Sequence, residues 1–174
     1  MLDLGTGSGA IAIATAHMRP DLSVYAADVS EVALNIAMHN NAALVQGRVG
    51  LRRSDWLRSF TNETFDVIVS NPPYIAANDV HLSEGDLRHE PAGALTDFAD
   101  GLAHYRAIAL QAAQHLCAGG QLLLEHGWQQ GAAVRALLSE RGYTQIVQHH
   151  DAAAAVQRGH ERMVSCVWQN SAAS

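Results

Sequence analysis

Apolar residues fall along this chain in short, partly β-branched runs that alternate with longer stretches of helical spacing. That alternation predicts a parallel α/β sheet. The first run, Met1 to Leu4, is short because the chain starts there. Gly9 to Met18 (GAIAIATAHM) predicts a helix closed by Pro20, and Ser23 to Asp28 a second strand. Ser30 is placed to cap a helix running to about Ala43, with Glu31 in its first turn. Val49 to Ser54 predicts a third strand, and Phe65 to Asn71 (FDVIVSN) is the clearest strand of all. A long loop then runs from Pro72 to about Asp100; a loop of that length directly after the best strand points to a ligand edge. A helix from Leu102 to Leu116, a Gly119-Gly120 stop and a buried strand from Gln121 to Glu125 follow. A helix from about Gln129 to Arg141 and strands near Tyr143 to His149 and Met163 to Gln169 complete the pattern.

Composition narrows the class. The 174 residues, 48% apolar and 16% charged, suit one soluble domain with a real core. No apolar run approaches the ~18–20 residues of a bilayer span, and Met-Leu-Asp has no basic start, so no signal peptide is expected. Cys117 and Cys166 lie far apart and outside any metal-ligand spacing. That rules out a disulfide framework and predicts a reducing, cytoplasmic setting. The net charge is −6, and all 11 basic residues are arginine. Such a balance disfavours a partner held by its phosphates.

Candidate chemistry begins at once. Asp3-Leu4-Gly5-Thr6-Gly7-Ser8-Gly9 stands between a predicted strand and helix, where glycines allow a tight turn and close approach of a ligand to the main chain. Asp28 ends the next strand, where a carboxylate can accept hydrogen bonds from both ribose hydroxyls of a nucleoside. The loop reads G-x-G-x-G, not the G-x-G-x-x-G of dinucleotide enzymes, and Asp3 precedes its first glycine. An acid there would repel a pyrophosphate and attract a sulfonium or ammonium, so S-adenosylmethionine suits the loop better than NAD. Ser54-Asp55-Trp56 follows the third strand. Asp55 can accept from an adenine amino group and Trp56 can cover the ring; a solvated Asp and a half-buried core Trp are the plainer alternative.

Asn71-Pro72-Pro73-Tyr74 ends the strongest strand. The prolines hold Asn71 and Pro72 extended and remove two backbone donors. What remains is a stub of acceptors followed by an aromatic ring, which fits a planar NH2 beside a carbonyl or ring. Accepting hydrogen bonds from that nitrogen orients it and raises its electron density, and Tyr74 can stack on the planar group. Positioning and electrostatics then carry most of a methyl transfer, with no tuned general base.

The combination DLGTGSG, Asp28, SDW, VSNPPY and LLLEHGWQQG closely resembles the release factor glutamine methyltransferases, the PrmC/HemK family, over essentially the whole chain. HEPAGAL (His89 to Leu95) and GHER (Gly159 to Arg162) belong to the same resemblance. It implies a Rossmann-like class I S-adenosylmethionine-dependent fold, a mainly parallel, doubly wound sheet of seven strands with the last one reversed. It implies one catalytic domain over 1–170 with a truncated first strand, a tail at 171–174, and no counterpart of the family's N-terminal helical domain. By position, Gly5, Thr6, Gly7, Ser8, Gly9, Asp28, Trp56 and Asn71 resemble the cofactor contacts. Asn71, Pro72, Pro73 and Tyr74 resemble the clamp on the substrate amide, with Asn71, Pro72 and Tyr74 at the chemistry. Glu90 and Pro91 resemble a loop segment near the substrate. The implied substrate is the glutamine of the Gly-Gly-Gln tip of class 1 peptide chain release factors.

Other readings stay open beside this one. NPPY is shared with amino-methyltransferases of DNA adenine and RNA guanine; a ribosomal-protein glutamine is another possible acceptor, and a non-catalytic cofactor-binding remnant is the reading from outside the enzymes. Acidic charge counts against nucleic acid, and Arg52-Arg53 is too small for a nucleic-acid stripe. His149-His150-Asp151 and His160-Glu161 lack metal-ligand spacing, so no metal is expected. Glu125-His126 falls at a strand end on the ligand edge, either as polar lining or as a turn with the histidine bonded to backbone.

Overall fold

The computed structural model describes residues 1–73, 100–150 and 161–169. Its elements, in chain order, are β1 (Leu2–Leu4), α1 (Ala10–Met18), β2 (Tyr25–Asp28), α2 (Glu31–Val45), β3 (Gly50–Arg53), β4 (Phe65–Ser70), α3 (Ala103–His115), β5 (Leu116–Glu125), α4 (Gly131–Glu140), β6 (Thr144–His150) and β7 (Glu161–Val167). The seven strands form one sheet in the order β3-β2-β1-β4-β5-β7-β6. All neighbours are parallel except β7, which runs antiparallel to both β5 and β6. The expected reversed last strand is therefore present, inserted between β5 and β6 rather than added at the edge.

From β1 the chain builds outward to β3, then returns to the far side of β1 for β4. Right-handed crossovers in the two directions put helices on opposite faces. On one face Ala12, Ile13 and Ala16 of α1 pack with Val24, Ala26, Val45 and Val49. On the other, Tyr105, Ile108 and Ala112 of α3 and Val134 and Leu138 of α4 pack on Leu2, Leu4, Ile68, Leu122, Leu124 and Val164. Each buried Val, Leu or Ile among them contributes about 1.5–3 kcal/mol of transfer free energy. Buried Asn41 fastens α2 to the start of β3: its amide donates to the Val49 carbonyl and accepts from the Val49 N–H.

Ser30 caps α2 as expected, accepting from the Ala33 N–H at 3.3 Å. Gly119-Gly120 departs from expectation, for it lies inside β5 instead of before it. Phe65 pairs with Leu116 but Val67 pairs with Gln121, so the β5 chain bulges out over 117–120. Gly119 takes φ 77°, its N–H donates to the Trp168 carbonyl, and the Gly120 carbonyl accepts from the Trp168 N–H. Pairing on both flanks keeps the strand going where the glycine pair alone reads as a break. No helix among the described residues is long and apolar enough to cross a membrane.

Candidate active site

Strand order reverses between β1 and β4, and the chain leaves both strands at the same edge. Open α/β sheets bind ligands outside the carboxyl ends of their strands at such a point. Leu4 and Ser70, the last residues of the two strands, are paired in register, and the buried Ser70 hydroxyl donates to the Leu4 carbonyl at 2.8 Å. The glycine loop and the Asn71-Pro72 stub therefore start one strand apart, at the same height.

Gly5, Gly7 and Gly9 all take positive φ, from 57° to 85°. At Gly9 the requirement is double: φ is 85°, and a Cβ would come 2.8 Å from Ile13 Cδ1 and 3.3 Å from the Ala37 Cβ of α2. The loop is braced from below. The Thr6 N–H donates to the Ala27 carbonyl and the Gly9 N–H to the Thr6 carbonyl. The Ser8 carbonyl accepts from Asn40 of α2.

Asp3 lies underneath this loop, 1% exposed. One carboxylate oxygen accepts from the Thr6 hydroxyl at 2.6 Å and from the Ala12 N–H at 3.2 Å, so the acid serves the N-terminal turn of α1, where negative charge is favourable. The other oxygen is buried and has no hydrogen-bond partner among the described residues. Burial pushes the Asp3 carboxyl up to about 6, against the opposing pull of the Thr6 and Ala12 hydrogen bonds. The charge anticipated in front of the loop thus sits behind it.

Asp28 stands where the spacing placed it, at the end of β2 facing the loop. Its carboxylate accepts from the Gly7 N–H at 2.9 Å and the Ser30 N–H at 2.8 Å. After β3, the Ser54 N–H donates to the Asp28 carbonyl, which brings the Ser54-Asp55-Trp56 turn to the same edge. Asp55 is turned outward, 2.7 Å from Arg58. Trp56 is turned inward: its Cζ3 lies 3.5 Å from where a Cβ on Gly5 would stand, and its ring is 5.2 Å from that of His104. Trp56 has φ 51°, a left-handed conformation that costs a bulky residue about 1–3 kcal/mol.

Beyond β4, Asn71 is exposed, Pro72 buried and Pro73 half-buried. Tyr74, Glu90 and Pro91 lie outside the described residues. Beside Asn71, the strand-end turn after β5 is tightly bonded. The Glu125 carbonyl accepts from the Tyr105 hydroxyl, and Gln130 links the Gly127 N–H to the Gly101 carbonyl. His126 is fully buried and bonds the Gly127 carbonyl through Nδ1 at 2.8 Å, which is the turn alternative, not the polar lining. His149 bonds Ser165 at 2.7 Å, while Asp151 and His160 lie outside the described residues. Among those residues no three His, Cys, Asp or Glu side chains gather as a metal site.

The structure thus brings together Gly5 to Gly9, Asp28, Trp56 and Asn71 at one edge. Sequence reasoning missed Ser70, His104 and Gln111. Ser70 carried a faint signal as a polar residue closing an apolar strand. His104 and Gln111 carried only their spacing of seven on a helix.

Residues 1–86 match the Methyltransferase small domain family. The chain is 51% identical over 149 residues to a release factor glutamine methyltransferase of Xylella fastidiosa, covering 86% of this chain and 54% of that protein. It is 51% identical over 146 residues to the protein of the same name from Neisseria gonorrhoeae, covering 83% and 53%. The chain spans about half the length of the curated relatives it matches. Among solved structures, a methyltransferase from Pyrococcus furiosus superposes with a TM-score of 0.70 at 19% identity, covering 97% of this chain and 74% of that one. The glycopeptide N-methyltransferase MtfA, complexed with S-adenosyl-L-homocysteine, superposes at 0.64 with 16% identity, covering 95% and 80%. The likeness shows the fold, a Rossmann-like α/β sheet.

Proposed function

We propose that this chain, 51% identical to release factor glutamine methyltransferases over most of its length, belongs to their family and transfers a methyl group from S-adenosylmethionine to a glutamine side-chain amide. We infer that the acceptor is the glutamine in the Gly-Gly-Gln tip of class 1 peptide chain release factors. We take 1–170 as the catalytic domain, 171–174 as a tail, and the cytoplasm as its setting.

The observation that carries the reading is the pairing of Leu4 with Ser70. It sets the glycine loop and the Asn71-Pro72 stub on adjacent strands at one height, which supports reading them as the nucleoside and amide subsites. Asp28 has acceptor capacity left on both carboxylate oxygens for ribose hydroxyls. Gly5 and Gly7 keep side chains out of the ligand's way, and Trp56 supplies an apolar face beside Gly5. When bound, S-adenosylmethionine supplies an electrophilic methyl on its sulfonium. Asn71 Oδ1 and the Pro72 carbonyl accept from the glutamine amide, fixing its orientation and raising the electron density on its nitrogen. Pro72 and Pro73 offer no N–H to compete for the acceptors. The oriented nitrogen would accept that methyl, leaving the donor as a thioether, with the amide proton going to water. Preorganised acceptors and proximity supply the rate enhancement. Tyr74 is the stacking partner in this reading.

The test is methyl transfer from labelled S-adenosylmethionine to a purified class 1 release factor. Label on the Gly-Gly-Gln glutamine supports the reading. Label only on DNA, RNA or a ribosomal protein overturns it in favour of those acceptors. A rise in Tm with S-adenosylhomocysteine but no label on any acceptor leaves a cofactor-binding remnant.

A further inference from the structure

Trp56 holds a left-handed backbone, φ 51°, which a bulky residue keeps only where its surroundings over-determine it. Two side chains of α3 contribute to that determination beside the core packing of Trp56. Gln111 Oε1 accepts a 3.0 Å hydrogen bond from the N–H of Leu57, the residue after Trp56. His104 brings its ring to 5.2 Å from the Trp56 ring, centroid to centroid, at an interplanar angle of 59°. His104 and Gln111 stand two turns apart on α3 and share one of its faces. The same indole lies over Gly5 of the glycine loop. Trp56 is therefore tied to α3 through both its backbone and its ring, beside the loop.

We propose that His104 and Gln111 are positioning residues for the cofactor's nucleoside, holding the Trp56 indole as a preformed wall of the crevice for the adenine ring. The inference rests on the cofactor reading above. A loop residue held in place by folding loses no further freedom when a ligand arrives, so its full contact contributes to affinity. Without the two α3 contacts the core packing of Trp56 is left to hold the strained turn, and the indole shifts away from Gly5.

The experiment is calorimetric titration of S-adenosylhomocysteine into the wild type, Gln111→Met, Gln111→Glu and His104→Ala, with the Trp56 indole N–H followed by NMR. Gln111→Met removes the acceptor at similar volume, and Gln111→Glu keeps one. Gln111→Met and His104→Ala are expected to weaken binding roughly fivefold to tenfold, the scale of one lost hydrogen bond or ring contact. Gln111→Glu is expected to restore affinity to within about twofold of the wild type. The Trp56 signal should shift in the two weakened variants while that of Trp168 stays. A loss of stability with unchanged affinity and an unmoved Trp56 signal overturns the proposal. If the wild type itself binds no S-adenosylhomocysteine, the cofactor reading falls and this inference with it.

Discussion

The carboxylate of Asp28 accepts a 2.9 Å hydrogen bond from the backbone N–H of Gly7, across a separation of 21 residues. Its second oxygen accepts from the Ser30 N–H at 2.8 Å. One acid thus closes the glycine loop after β1 onto the end of β2 and fixes the entry to α2. A ribose that occupies the remaining acceptor sites meets a carboxylate already oriented by two backbone donors.

Asp28→Ala removes those acceptors at once. A hydrogen bond to a charged group is worth about 1.5–3 kcal/mol, so the affinity for S-adenosylhomocysteine should fall by roughly one to two orders of magnitude. Tm should drop as well, because Gly7 and Ser30 lose their partner. Calorimetric titration with a parallel melting curve checks both. Wild-type affinity in this variant would reject the ribose role while leaving the loop-closing role intact.

Asn71→Ala addresses the other half of the site. Asn71 is exposed at the end of β4, so its loss should cost little stability, within about 0.5 kcal/mol. Removing an acceptor that acts at the transition state should lower kcat/KM for a release factor by about 1.5–3 kcal/mol, or some tenfold to 150-fold. Near-normal turnover in a single-turnover assay would sink the clamp mechanism.

The parts of the fold that were legible in the sequence are those where local chemistry and tertiary packing agree. The β-branched run at Phe65 to Ser70, the Ser30 cap and the helix ending near Pro20 each follow from local rules that the sheet does not oppose. Gly119-Gly120 was misread because strand pairing to Phe65 on one side and Trp168 on the other overrides a local break. In the site, Gly5 to Gly9 and Asp28 announce themselves by residue type and spacing. The burial of Asp3 does not, because an acid before a glycine loop reads the same whether it faces the ligand or the helix behind. The roles of His104 and Gln111 were illegible too, since a contact between α3 and the turn after β3 depends on how far that helix leans over the sheet.

The burial of Asp3 has a consequence for stability against pH. Its carboxyl is raised from 3.8 to about 6 in the folded protein, chiefly by burial. Between those values the folded state holds a proton that the unfolded state has released, so stability falls as pH rises through that window. The full effect is on the order of 3 kcal/mol. Asp3→Asn keeps an acceptor for Thr6 and Ala12 but cannot ionise. Urea denaturation at pH 4.5 and pH 7 should therefore show a smaller loss between the two values for Asp3→Asn than for the wild type. Equal slopes would mean that Asp3 is not the group responsible.

His126 offers a test of the turn beside Asn71. The Gly127 carbonyl, 2.8 Å from His126 Nδ1, can only accept, so Nδ1 carries the proton. His126 Nε2 is then a bare acceptor, and Gln148 Nε2 donates to it at 2.8 Å. The same Gln148 amide donates to the Met163 carbonyl at 3.0 Å, and its oxygen accepts from Arg135 at 2.6 Å. Every member of the chain has its direction set by a neighbour. Gln148→Leu strands Nε2 of a fully buried ring and should cost about 1–3 kcal/mol. Adding His126→Phe removes the stranded acceptor, so the double variant should be less destabilised than the sum of the two single changes. Urea denaturation of all four proteins gives the coupling directly. Strict additivity, or a Gln148→Leu variant as stable as the wild type, would show that the two side chains do not act as a pair.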